Sequence, residues 1–499
     1  MSSMIGRRAV AGVAAAIGAM LALPAFAQGR KDSAVLGMTL EPPGLDPSAG
    51  AASAIGEVVH YNIFETLTKI HSDGTIGPLL AQSWTVTPDN KTWAFKLRQG
   101  VKFQNGEPFD AGSVKFSYER AVAAGSVNKD KAVFNNILNI ATTDDHTVVI
   151  TLKNPNPDFL FQLGQTTASI FEPKSVAGNN SRPVGTGPYK LENWNKGSSI
   201  VLARWDGYRD AKAVHLKRVT IRFISDAAAQ VAALLSGDID AFPRVAAARS
   251  LAQFRSDKRF QVLIGGSRAK TILAMNNKRK PLDDVRVRRA IAMAIDRKAV
   301  IEGAADGFGT PIGSFYTPGS PGYVDLTAVN AYAPEKSRAL LKDAGVATPL
   351  ELTMKLPPVP YARQGGEVIA AELAKVGVVA KIENVEWAQW LSGVYKDKAY
   401  DLTIVSHVEP LDFGNFARPG YYWNYDSPKF NELWAKINTT ADTAQRNQLM
   451  AEAQRLVADD TVMAYLYQPT WITVAKAGLK GLWKDAPIFA NDLSALSWQ

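Results

Sequence analysis

The chain has 499 residues, 46% of them hydrophobic and 21% charged, a formal net charge of +9 and no cysteine. That length predicts two or three domains, the composition excludes a disordered class, and the missing cysteines exclude a disulfide scaffold and a lipid anchor on cysteine. The basic residues are scattered rather than clustered, so a nucleic-acid partner is not expected.

Residues 1–27 read as an export signal: Arg7-Arg8, an apolar run from Ala9 to Leu23, then the small-x-small pattern Ala25-Phe26-Ala27, with cleavage expected after Ala27. The alternative, a membrane anchor, needs an apolar run of roughly 20 residues. The paired arginines leave both the Sec and the twin-arginine routes open. Export without an acylated cysteine points to the periplasm.

Val35–Met38 predicts a buried strand, followed by the proline-broken segment 41–47, and Glu57 to Leu67 carries apolar residues at helical spacing. Residues 84–87 and 92–97 alternate around Pro88-Asp89-Asn90-Lys91, a β-hairpin pattern. Asp110 is placed to cap a helix containing Val114 and Tyr118, and residues 146–152 form another alternating strand. Val184-Gly185-Thr186-Gly187-Pro188-Tyr189 lacks the spacing of a phosphate loop and reads as a structural turn.

Asp226 is placed to cap a helix over 227–235. A single helix is expected over 285–301, with Arg286, Arg288 and Arg289 as a solvated face or as anchors for local carboxylates. Helix 364–376, strand 378–382, strand 400–405 and helix 443–459 then alternate as in an α/β lobe, and two strands, 463–467 and 472–474, close the pattern.

Several ordered segments carry a family resemblance: Leu79-Leu80-Ala81-Gln82-Ser83-Trp84 leading to Phe95-Lys96-Leu97-Arg98-Gln99-Gly100-Val101-Lys102-Phe103, Gly185-Thr186-Gly187-Pro188-Tyr189, Ser236-Gly237-Asp238-Ile239-Asp240, Asp283 to Ala290, and Tyr332-Ala333-Pro334-Glu335-Lys336. In order and spacing they resemble the family 5 extracellular solute-binding proteins, the dipeptide, oligopeptide and nickel receptors of ABC importers. The resemblance implies an α/β, periplasmic-binding-protein type II-like two-lobed clamp with a small extra α/β domain inserted in the first lobe. The implied division is lobe I over 28–60, 180–272 and 474–499, the insert over 61–179, and lobe II over 273–473. It further implies a monomer that closes on a peptide or small organic solute and passes it to a permease in the inner membrane.

By the same resemblance, Asp412, or else Glu409, occupies the place of a carboxylate that holds a ligand ammonium, although the run His407-Val408-Glu409-Pro410-Leu411 departs from the Gly- and Asp-rich stretch of peptide receptors. The alternative is that Asp412 hydrogen-bonds only its own loop. Arg363 resembles the arginine that meets a ligand carboxylate. Asn415, Arg418, Tyr421, Tyr422 and Trp423 are expected to line the cleft, and Ser48, Gly50, Ala51, Ala52 and Ser53 to meet an extended ligand from the first lobe.

No catalytic residue, metal ligand or cofactor is expected. Five histidines, no cysteine, no His-Glu-x-x-His and no Gly-x-Ser-x-Gly leave no nucleophile or metal site at recognised spacing, so a secreted hydrolase is a distant alternative. His407 beside Glu409 is the only hint of nickel or haem cargo, and opines and oligosaccharides also stay open.

Overall fold

The computed structural model describes residues 32–49, 52–440 and 442–499, so the expected signal segment and the site candidates Gly50 and Ala51 lie outside the described residues. Ser33–Met38 pairs in parallel with Arg218–Phe223, which runs antiparallel to Ser199–Arg204, itself paired with Tyr189–Asn195. A second group of strands contains Leu350–Leu356 parallel to Val378–Asn384 and to Leu402–His407, with Lys270–Met275 antiparallel to the last. Helices such as Pro360–Ala374 cover this group, whose strands are apolar at most buried positions, as a sheet packed on its faces requires.

One strand, Met463–Lys476, joins the two groups into a single sheet. Its first part pairs with Lys270–Met275 and its second with Phe260–Gly266. Two separate strands were expected here, over 463–467 and 472–474, and between them lies Pro469, which has no N–H to donate. The structure keeps the strand continuous by placing Pro469 where the partner changes, between Tyr467 opposite Thr271 and Thr470 opposite Gly266.

A separate four-stranded antiparallel sheet orders Ala81–Val86, Thr92–Leu97, Thr147–Leu152 and Ile137–Asp144, with the helix Ala111–Val122 against it. The expected hairpin is its first pair, and Asp110 caps the helix by accepting from Ser113 N at 2.8 Å. The glycines of the turn at 185–187 serve close packing: a Cβ on Gly185 would lie 2.0 Å from the carbonyl oxygen of Ile63.

Two helices depart from their expected bounds. The one expected over 57–67 spans Ser53–Val59 and stops before Tyr61, whose φ is +62°. Asn62 Nδ2 there donates to Val58 O and Asn491 O, and Ile63, Phe64 and Leu67 are buried from irregular backbone, so tertiary packing overrides the periodicity. The helix expected over 285–301 is two, Val285–Met293 and Arg297–Ala305. Asp296 starts the second by accepting from Lys298 N at 2.9 Å, while its own N–H donates to Glu372 Oε2 at 2.6 Å. Of the three arginines, Arg286 pairs with Asp284, buried Arg288 donates to the Leu282 carbonyl and to those of Asp460 and Thr461 just past the helix Thr443–Asp459, and Arg289 donates to the carbonyl of Asp459 at that helix end. A cation suits those carbonyls because they have no partner within the helix.

Candidate functional site

A cavity of about 800 Å³ lies between the two groups of strands. One wall comes from Pro47, Ala52, Ser53 and Gly56 and from the segments around Asp130 and Gln162–Thr167, and the facing wall from Trp390, Tyr395 and residues 405–412. Its floor includes the crossing segment Ser267-Arg268-Ala269, together with Trp471 and residues 486–489. That volume suits a small organic molecule, and the mixture of aromatic rings with a few charged groups is typical of such sites.

The buried strand Leu402–His407 delivers its following loop to this cavity, and there four side chains form a chain of contacts. Lys270, at the start of the neighbouring strand, places Nζ 2.5 Å from Asp412 Oδ1 and 2.6 Å from the Glu409 carbonyl oxygen. His407 Nδ1 is 3.1 Å from Asp412 Oδ2, and its Nε2 is 2.9 Å from the Tyr422 hydroxyl. Burial raises the Tyr422 hydroxyl well above its ordinary pKa, so it keeps its proton and can donate to Nε2, leaving Nδ1–H to donate to Asp412; this tautomer is assigned from the network. Burial alone would raise the Asp412 carboxyl, but the Lys270 ammonium and the His407 contact hold it below its ordinary value.

Asp412 therefore borders the cleft as an ionised group whose charge is already balanced by a buried lysine. It is engaged neither with its own loop alone nor with open space. Glu409 is exposed at the cleft. His407, Glu409 and Asp412 bring ligand atoms within 4.8 Å of one another, yet the chemistry does not fit a cation: both imidazole nitrogens are in use, and a metal would meet the Lys270 ammonium on Asp412.

Asn415, Arg418, Tyr421 and Tyr422 border the cavity, as do Ala52 and Ser53. Three other expected residues lie elsewhere. Trp423 is fully buried in the core, stacked on Phe416 with ring centroids 4.8 Å apart. Ser48 is tied to Asp46 and Arg120: its Oγ donates to Asp46 Oδ1 at 2.7 Å and accepts from Arg120. Arg363, in the first turn of Pro360–Ala374, is partly exposed outside the cavity lining, with Nη2 3.4 Å from Glu386 Oε1.

Besides Arg418, a second arginine borders the cavity, Arg268, which sequence reasoning missed. Among the described residues it makes no ion pair or hydrogen bond, and its guanidinium lies 5.9 Å from the Phe161 ring centroid. Burial lowers its pKa. Nothing in the sequence marks it, because residues 267–269 are an irregular link between two strands with no periodicity of their own.

The family model described as "Bacterial extracellular solute-binding proteins, family 5 Middle" matches residues 75–412. The probable D,D-dipeptide-binding periplasmic protein DdpA of Escherichia coli (strain K12) is 29% identical over 483 residues, covering 90% of this chain and 91% of its own. Heme-binding protein A of Haemophilus influenzae is 30% identical over 479 residues, covering 86% and 85%. Among solved structures, the agropinic acid complex of the protein AgaA from A. tumefaciens R10 superposes with a TM-score of 0.78 at 27% identity, covering 94% of this chain and 99% of that one.

Proposed function

The chain belongs to the family 5 bacterial extracellular solute-binding proteins, and from that premise we propose that it captures a peptide-sized organic solute in the cavity and hands it unaltered to a membrane permease. It is an ABC transporter substrate-binding protein, one of a family of non-catalytic receptors whose relatives are periplasmic and whose substrates vary. The periplasm, an export signal over 1–27 and a monomeric state belong to the same proposal.

The observation that carries the reading is the cavity of about 800 Å³ between two groups of strands that share one strand. We further divide the chain into lobe I (28–60, 180–272, 474–499), an insert (61–179) and lobe II (273–473). The change of partner along Met463–Lys476 and the link at 267–269 support a hinge near these bounds. In such a clamp, solute contacts made by both lobes only when closed shift the population to the closed form that a permease reads.

The test is native mass spectrometry of protein purified from its own cells, followed by small-angle scattering with and without the copurified solute. A bound small molecule whose removal expands the particle supports the reading. An identical scattering curve in both states, or chemical turnover of the solute, refutes it.

A further inference from the structure

We propose that the cleft selects an organic anion with no free ammonium, binding its negative group at Arg268, and that Lys270 closes Asp412 to ligand amines; this rests on the receptor reading above.

The charges on the cavity wall lead there. Three cations border it, Lys129, Arg268 and Arg418, and three acids, Asp130, Glu409 and Asp412. Asp412 is cancelled by Lys270, a residue only 3% exposed. Asp130 accepts the Thr167 hydroxyl at 2.5 Å and adjoins Lys129 in sequence. Glu409 is exposed, where water screens its pull on a ligand. Lys129 and Arg418 are exposed and screened in the same way, so the cation left shielded without an ion-pair partner is Arg268, while the wall's most buried acid, Asp412, is already satisfied. A ligand ammonium reaching Asp412 would bring a second cation beside Lys270 in a water-poor site, which is repulsive.

Arg268 has the opposite character. It has given up much of its water and gained no counter-ion, so an incoming carboxylate, sulfonate or phosphate recovers what burial cost. Its backbone is held in place: Ser267 Oγ donates to Pro469 O at 2.9 Å, and Gln468 Nε2 donates to Ser267 O at 2.5 Å. The guanidinium is thus mounted on a hydrogen-bonded link where the two groups of strands meet, with one aromatic ring near it and a fork of donors unused. The same position explains the alternative fates of the two arginines: Arg363 has Glu386 for a partner, and Arg268 awaits one.

The test uses the full mature chain, freed of copurified solute by unfolding and refolding, against organic solutes sorted as carboxylates lacking an ammonium, zwitterions, cations and uncharged molecules. The set includes the pair Ala-Ala and N-acetyl-Ala-Ala. Thermal shift finds binders and calorimetry measures them. The expected result is that binders concentrate among the carboxylates without ammonium, that Arg268→Gln weakens them at least ten-fold, and that Arg268→Lys, which keeps the charge and guards against a folding artefact, loses less. Binders concentrated among cations or zwitterions and lost in Asp412→Asn overturn the inference while leaving the receptor reading intact. Affinity that falls in Arg363→Gln but not in Arg268→Gln overturns it too. No binder in any class, with a scattering curve that never changes, counts against the receptor reading and the inference together.

Discussion

Arg446 Nη2 lies 2.7 Å from Asp158 Oδ2, joining the long helix Thr443–Asp459 to the residue that precedes the helix Phe159–Gln162. These two elements pack in different cores, the first beside Tyr422 and the second against the four-stranded sheet, so the ion pair spans the two sides of the cleft. Both side chains are mostly shielded from solvent, which lets the pair contribute more than an exposed one. Leu411 makes an apolar link of the same kind, packed against the cluster of Ile70, Phe161 and Ile488.

Asp158→Ala should therefore favour the open form and weaken solute affinity about five-fold, the equivalent of roughly 1 kcal/mol. Calorimetry with the copurified solute, paired with scattering, checks this. The exchanged variant Asp158→Arg/Arg446→Asp should regain most of the loss, and equal affinity in wild type and Asp158→Ala would show that the pair plays no part in closure.

Lys270→Met leaves a buried carboxylate without its cation and should cost roughly 3–5 kcal/mol of stability. The double variant Lys270→Met/Asp412→Leu, with both charges gone, should recover most of it in urea titrations. The pH dependence carries a sign: Asp412 is held below its ordinary value when folded, so its contribution is full above its unfolded pKa of about 4 and fades as pH falls through the lower folded value. The double variant should lose less stability than wild type across that acid range.

His60 is fully buried, with Nε2 3.0 Å from the Gly164 carbonyl oxygen and Nδ1 unpartnered. Burial lowers its pKa to about 3, so the folded protein keeps the ring neutral. Its share of stability is present above the unfolded value of about 6.5 and declines as pH falls towards 3, by at most about 5 kcal/mol. Urea midpoints measured from pH 7 to pH 4 should fall less steeply in His60→Gln than in wild type; parallel curves would refute the assignment.

Gly185→Ala tests the turn at 185–187. Its Cβ would overlap the Ile63 carbonyl oxygen, so the cost should be roughly 3 kcal/mol by urea unfolding even though only a methyl group is added. An unchanged midpoint would contradict that packing.

What the sequence made legible was local chemistry. Asp110 and Asp226 cap the helices they precede because a carboxylate two or three residues ahead of a free N–H needs nothing else from the fold. The expected helix over 443–459 is also present, and the structure adds its cap, Asp442 accepting from Gln445 N. The break at Asp296 was harder, since it depends on Glu372 from another helix as well as on its own cap. Strand 463–476 looked divided because its continuity depends on two different partners.

The site was legible to the extent that one loop supplies it. Residues 409, 412, 415, 418 and 422 border the cavity because they all follow the strand Leu402–His407. Lys270 and Arg268 come from a distant link, and no spacing in the sequence joins residue 270 to residue 412. Trp423 resembles its neighbour Tyr422 in type, but adjacent side chains in irregular backbone point to different surroundings, and only Tyr422 reaches the wall.

The strand Met463–Lys476 gives the molecule something a flexible linker would lack. Every rotation of one half against the other must twist a ribbon held by backbone hydrogen bonds along both of its stretches, so displacement is shared over several peptide units and meets an elastic restoring torque. The halves are thereby mechanically coupled, and heat should melt them in one cooperative step instead of two.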